Sequence, residues 1–377
     1  MVYDCIVLGV GGVGSFAFLS AVEKGWKTLG IDRFGSAHDK GSSHGRTRFI
    51  RTAYFEHPNY VPLARQAWDR WLKLQKKTDV KLIQKTGLLQ VGNPDGEVIR
   101  GVLKSAAEHD IEIQQWTPAE AMNRLPAFKL GNDVACIYED QAGMLFIENC
   151  VASAIKMSID QGGQFKTDTT ISGISVEPSG TVVLRSDSED FRCERLIVCA
   201  GSWSSDFIGD LGIEIGVVRK QQHWFQLDRV DTKFENGFPG FLIEDQVGCF
   251  YGFPEVDYLG MKIAEHSGGN AVANPLEPGR ACDDAELSRV EQFMDRSINF
   301  TRRRLVHHSV CMYSMSRDGH FIVNRHPDSD RIVFAAGLSG HGYKFAPVLG
   351  DRLVGMLEGE ENKLFDFLKM DNRKLAN

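Results

Sequence analysis

Residues 3–35 read "YDCIVLGVGGVGSFAFLSAVEKGWKTLGIDRFG", and their reading decides the fold. Residues 3–8 are a short apolar run stopped by glycine, the pattern of a buried parallel strand. Gly9-x-Gly11-x-x-Gly14 follows, then an apolar helix to about Lys24, then a second strand, Thr28–Ile31, ending in Asp32. Each part has a mechanical task. Gly9 permits the tight turn, Gly11 lets backbone amides approach a pyrophosphate, and Gly14 brings helix close to strand. The helix start at Gly12 and Val13 offers unsatisfied N–H groups to phosphate oxygens. Asp32 can accept from a ribose hydroxyl, and Arg33 beside it blurs the choice between plain and phosphorylated dinucleotides. The uncharged run Cys5–Val22 is about as long as a membrane span, but its glycines, Asp4 rather than basic residues before it, and the lack of a cleavage-site pattern argue against an anchor or a signal peptide.

The chain is 377 residues long, with 42% hydrophobic and 25% charged residues and a net charge of −7. That is ample for two domains and ordinary for a globular protein. The negative balance argues against non-specific binding to nucleic acid or anionic membrane. Eight cysteines are scattered, with no Cys-x-x-Cys pair, so neither a zinc site nor a disulfide framework is signalled, and the expected setting is reduced and cytoplasmic.

After Asp32 the strand–helix rhythm stops. Residues 33–51, "RFGSAHDKGSSHGRTRFIR", read as a polar loop, and a later apolar strand, "RLIVCAGSWSS" (195–205), reads as a late completion of the same sheet. "RSDSEDFRCERL" (185–196) reads as a polar turn feeding it. A sheet assembled from distant pieces points to a flavin dinucleotide rather than a nicotinamide one.

Downstream lie "KTGLLQVG" (85–92), "YGFP" (251–254), "MKIAEH" (261–266), "CMYS" (311–314), "HFIVNRHP" (320–327) and "AAGLSGHGYKFAPVLG" (335–350). With "GSSHGRTRFIR" (41–51), "YVPLA" (60–64) and "LIVCAGSW" (196–203), their order and spacing resemble the monomeric sarcosine oxidase family of FAD-dependent amine oxidases. N-methyltryptophan and pipecolate oxidases stand alongside it. Taken alone, Cys311 could be buried filler, a nucleophile, a ligand or an attachment point. The resemblance implies the last: a thioether to the flavin ring. It also implies Arg48 at the flavin face, Arg51 and Lys344 as a clamp on the substrate carboxylate, and Lys262 beside the flavin as the oxygen-activating cation. Tyr251, Phe253 and Tyr313 would form the substrate cage, with His266 as a polar wall. Gly9, Gly11, Gly12, Val13, Gly14, Asp32, Arg33, Ser42, Thr47, Arg48, Ile171, Gly201, Trp203, Cys311, Gly340, Gly342 and Lys344 would hold the cofactor.

Physical sense supports these roles. A guanidinium offers a carboxylate two parallel donors. Lys262, Ala264 and His266 share one face of an alternating strand, so Lys262 and His266 are expected to enter a cavity together. The segment 335–353 reads as strand, glycine turn, and a helix from Lys344 or Phe345 with Pro347 in its first turn. Residues 283–298 read as a charged helix. Two departures from the family pattern, Arg317-Asp318-Gly319 where relatives carry Pro-Asp-Glu, and "GSSHG" for "GSHHG", bear on which amine is used.

The expected fold is α/β (α+β overall): a discontinuous Rossmann-like FAD-binding domain from 1–80, 145–215 and 318–377, and a substrate domain with a mainly antiparallel sheet from 81–144 and 216–317. The expected activity is O2-dependent oxidation of a secondary amino acid, giving an imine and H2O2, by a monomer that needs no metal. The alternative is a flavin dehydrogenase that passes electrons to another carrier.

Overall fold

The computed structural model describes residues 1–370, so the last seven residues of the expected segment 318–377 lie outside the described residues. Val2–Leu8 pairs in parallel with Thr28–Ile31 on one side and with Asp190–Val198 on the other. Gln164–Lys166 extends the sheet beyond Thr28–Ile31, and Ser329–Ala336 pairs in parallel with the end of Asp190–Val198. The late apolar strand thus docks directly on the first one. Its length lets it serve three partners: Val2–Leu8, Ser329–Ala336 at its end, and Val182–Ser186, which pairs antiparallel with its polar first half. Residues 185–196 are therefore mostly strand, and only 187–189 turn.

The helix Gly12–Glu23 is buried on every side from Gly12 to Val22. It packs between the helices Ile147–Asp160 and Ala346–Leu357. This explains its membrane-like composition: it has no solvent face to make polar. Closeness is built in by glycine, since a Cβ at Gly350 would stand 2.6 Å from the Ala17 backbone nitrogen. Among the described residues no helix is long and apolar enough to cross a membrane.

A second, nine-stranded sheet is mainly antiparallel. Its spine is Gly216–Leu227, paired along its length with Arg303–Met315 and flanked by Met261–Glu265 and Cys249–Phe253. The charged helix is Asp284–Ser297, started by the Asp283 side chain, which accepts from the Ala285 and Glu286 amides. Its apolar face packs on this sheet, Phe293 stacking on Phe250 at 4.4 Å. We propose the two large sheets as the centres of the nucleotide and substrate domains.

The expected loop 33–51 contains a strand, Thr47–Ile50, which joins Gly143–Phe146 and Ile83–Lys85 in a small third sheet. Its ladder partner is a segment distant in sequence, and its four residues carry no alternation of their own. Near the other end, Tyr343–Phe345 is a 3-10 turn, and the α-helix begins at Ala346 with Pro347 in its first turn.

Candidate active site

Two adjoining cavities meet at the ends of these elements. The larger, about 1350 Å³, opens above the glycine turn. Gly9 takes φ +82°, and a Cβ there would fall 2.4 Å from the Cys199 carbonyl oxygen. A Cβ at Gly14 would reach 1.8 Å from the Gly9 carbonyl oxygen, so helix and strand touch through bare backbone. Gly11, Gly12 and Val13 line the cavity. Asp32 is buried at its rim, its carboxylate accepting from the Val10 amide at 2.7 Å and the Phe34 amide at 2.9 Å. Arg33 lies over the Trp203 ring at 5.3 Å, and Trp203 belongs to the turn Gly201–Trp203. Ser42, Ile171, Gly201, Gly340 and Gly342 complete the lining. The Ser42 hydroxyl and the Trp203 indole N–H are buried with no partner. A glycine turn in which helix and strand touch through bare backbone, an acid at the second strand's end and unpaired polar atoms together fit a dinucleotide.

At the far end of this cavity Arg48 donates to the Ser42 carbonyl at 3.2 Å and to the Cys311 sulfur at 3.1 Å. Cys311 is fully buried on Arg303–Met315. Its neighbours Met312 and Tyr313 line the cavity. Thr47 places its carbonyl under Arg48 and leaves its buried hydroxyl unpartnered.

The smaller cavity, about 510 Å³, shares Arg48, Tyr313, Gly340 and Tyr343 with the larger. Arg51, Lys344, Glu56 and His341 form its polar side, and Phe49, Phe55, Leu242, Tyr251 and Phe253 its apolar side. His266 and Tyr313 meet in its wall, ring nitrogen to hydroxyl at 3.3 Å. Burial pushes His266 down to about 4, so this imidazole is neutral at ordinary pH.

Arg51 is not idle. One of its nitrogens donates to both Glu56 carboxylate oxygens, at 2.8 and 2.7 Å. Burial alone would raise Glu56, but Arg51, then His341 and Lys344, hold its carboxyl at about 2. Lys344 donates to the His341 carbonyl at 2.7 Å and approaches the Tyr54 hydroxyl at 3.4 Å. Burial, then the Arg51 charge, brings its ammonium down to about 7. His341 closes the network, its Nδ1 2.6 Å from the Tyr54 hydroxyl and its Nε2 2.9 Å from the Gly319 carbonyl. That carbonyl belongs to the departing triplet 317–319, where Gly319 takes φ +76°.

Lys262 departs from expectation. It does not line the smaller cavity with His266. Its ammonium donates to the Gly45 carbonyl at 2.7 Å and the Thr47 carbonyl at 2.8 Å, behind the strand that carries Arg48. The strand ends at Glu265, so alternation no longer governs His266, which sits in the following bend. Burial, then Arg48, pushes Lys262 well below the usual lysine range.

The site thus gathers Arg48, Arg51, Tyr251, Phe253, His266, Tyr313 and Lys344 around one cavity, with Cys311 and Lys262 just behind its walls. Sequence reading missed Tyr54, Glu56 and His341. Tyr54 and Glu56 stand three and five residues after Arg51, and a second buried charge near a buried arginine was the available signal.

A family model described as FAD dependent oxidoreductase matches residues 4–356. Monomeric sarcosine oxidase of Streptomyces avermitilis is 32% identical over 354 residues, covering 93% of this chain and 92% of the relative. N-methyl-L-tryptophan oxidase of Yersinia pestis is 31% identical over 362 residues, covering 93% and 94%. Among solved structures, the amino acid oxidase NikD of nikkomycin biosynthesis superposes with a TM-score of 0.85 at 16% identity, covering 98% of this chain and 97% of that one. Glycine oxidase of Geobacillus kaustophilus gives 0.82 at 15% identity, covering 97% and 98%.

Proposed function

Because this chain belongs to the family of FAD-dependent oxidoreductases, we propose that it oxidises the C–N bond of a secondary amino acid, an N-methylated or cyclic one, with O2 as acceptor. The observation that carries this reading is the smaller cavity. It offers two cations, Arg51 and Lys344, to a carboxylate and an aromatic wall, Tyr251, Phe253 and Tyr313, to the amine and its substituents. It shares Arg48 and Tyr313 with the lining of the dinucleotide cradle.

FAD bound in that cradle would supply the two-electron redox chemistry between the amine and O2. Gly9 to Gly14, Asp32, Ser42, Thr47, Trp203 and Gly340 are the residues we assign to hold it, and Cys311 is the thiol we assign to tether it.

The chain's own groups then do the following. Arg51 and Lys344 fix the carboxylate, which sets the position of the carbon beside it. The carboxylate arrives where Glu56 already holds Arg51, so binding exchanges one anion for another. Tyr251, Phe253 and Tyr313 exclude water and favour an uncharged amine. His266, neutral, offers a hydrogen bond without adding charge. Lys262 and Arg48 put positive charge near the junction of the cavities, where electrons leave for O2.

The test is H2O2 release measured against a panel of secondary amino acids, paired with anaerobic bleaching of the yellow protein by the same compounds. Bleaching without peroxide would move the acceptor away from O2. No bleaching by any member would remove the amino acid reading. Separately, acid precipitation of the parent should leave yellow colour in the pellet, and Cys311→Ala should release it. Colour wholly in the parent's supernatant ends the tether assignment.

A further inference from the structure

Lys220 is a buried lysine outside the lining of both cavities. It lies on Gly216–Leu227, directly across from Cys311, and is 5% exposed. Among the described residues no carboxylate lies within ion-pair distance of it. Its ammonium instead donates to three consecutive backbone carbonyls, those of His266, Ser267 and Gly268, at 2.7, 2.6 and 2.5 Å. It also stands 5.2 Å from the centre of the Tyr313 ring.

These contacts have a common consequence. The three carbonyls belong to the bend after Met261–Glu265, where the chain leaves the sheet and its oxygens have no ladder partner. His266 and Ser267 are half-buried and Gly268 is exposed, so a donor from the protein matters most to the first two carbonyls, which water reaches least. An ammonium has three donors and no acceptor, so it can satisfy all three at once. The same bend is held from its other side by the Cys249 carbonyl, which accepts from the His266 amide at 2.7 Å. Gly269, at φ +101°, brings the bend against the neighbouring strand, where a Cβ would fall 2.6 Å from the Arg219 carbonyl oxygen. The bend therefore has little freedom while Lys220 is in place. It carries His266, whose ring meets the Tyr313 hydroxyl in the wall of the smaller cavity. Lys220 touches both partners of that contact: the backbone of one and the ring face of the other.

We propose that Lys220 is a positioning residue: it clamps the bend 266–268 and so sets His266 against Tyr313 in the wall of the substrate cavity. It touches no substrate itself and acts through His266. The consequence for binding rests on the reading of the smaller cavity as the substrate site; the positioning of His266 does not.

The experiment uses the holoenzyme at a fixed pH of ~7, and has two arms. In the first, 15N-labelled histidine reports the ring nitrogens of His266, assigned by their loss in His266→Gln. Lys220→Met is expected to shift these signals. Lys220→Gln, which keeps two donors and folds more readily, is expected to shift them less in the same direction. Signals unmoved in Lys220→Gln overturn the proposal, whether or not Lys220→Met folds. In the second arm, 2-furoate is titrated, a ring carboxylate with no titratable amine of its own. Lys220→Met and His266→Gln should each weaken it by about tenfold, and the double variant by about tenfold in total rather than a hundredfold. An additive, hundredfold loss means that Lys220 acts elsewhere and overturns the proposal. If 2-furoate fails to bind the parent, the substrate-site reading fails, and the first arm alone judges Lys220.

Discussion

At the scale of single residues, the proposed anion clamp of Arg51 and Lys344 decides the most. Arg51 and Lys344 were legible only through motif resemblance, because nothing local separates a clamp arginine from a solvated one. Tyr54 and Glu56 carried one signal, their closeness in sequence to a buried arginine, and His341 carried none; Tyr54 and His341 are 287 residues apart, and only folding brings them to 2.6 Å. Arg51→Gln or Lys344→Gln should weaken a carboxylate inhibitor by roughly tenfold or more, since each removes a charged hydrogen bond of ~1.5–3 kcal/mol. Unchanged titrations for both place the carboxylate elsewhere. Glu56→Gln should act oppositely and tighten the inhibitor, because Arg51 loses its resident anion. Glu56 also carries a pH signature. Its folded carboxyl is depressed to about 2 from 4.5, so its stabilisation is present above the higher value and is lost as pH falls through the lower. Acid unfolding of Glu56→Gln should lack that component, read as a flatter fall in melting temperature between these two values.

At the scale of elements, the glycine turn was legible because it is local: strand, turn, helix and second strand lie within residues 2–31. Thr47–Ile50 was not, since a four-residue strand is specified by its partner, and its partner is Gly143–Phe146. The bend 266–268 was misread for a related reason. Strand alternation was carried past Glu265, and nothing in "MKIAEH" marks where the ladder stops. The turn also gives the sharpest steric test. A methyl at Gly14 meets the Gly9 carbonyl oxygen at 1.8 Å, backbone against backbone, with no side chain able to swing away. Gly14→Ala should lower stability by ~1–3 kcal/mol and reduce flavin retention. Thermal unfolding and the ratio of flavin to protein absorbance read the two effects. A variant with parental melting and parental colour would show that helix and strand can separate without loss.

At the scale of the molecule, Lys262 joins two sheets. Its strand belongs to the nine-stranded sheet, and its ammonium holds Gly45 and Thr47, on the segment that enters the small sheet and carries Arg48. It can therefore be a structural staple, a charge, or both. The two readings part on protonation. A neutral amine still has two donors for two carbonyls, so the staple survives loss of the proton. The charge does not. Burial, then Arg48, lowers its ammonium well below the usual 10.5, so the cation is present below that lowered value and is lost as pH rises through it. If Lys262 assists the step in which O2 takes electrons, reoxidation should slow as pH rises, while anaerobic reduction by amine should lack this component. Lys262→Met removes both the charge and the donors. We expect it to slow reoxidation by about a thousandfold, equivalent to ~4 kcal/mol of barrier, to abolish that pH dependence, and to reduce the anaerobic half far less. Stopped-flow absorbance follows each half separately. Equal losses in both halves with parental pH dependence would make Lys262 a staple alone, and the positive charge serving O2 would then have to come from Arg48.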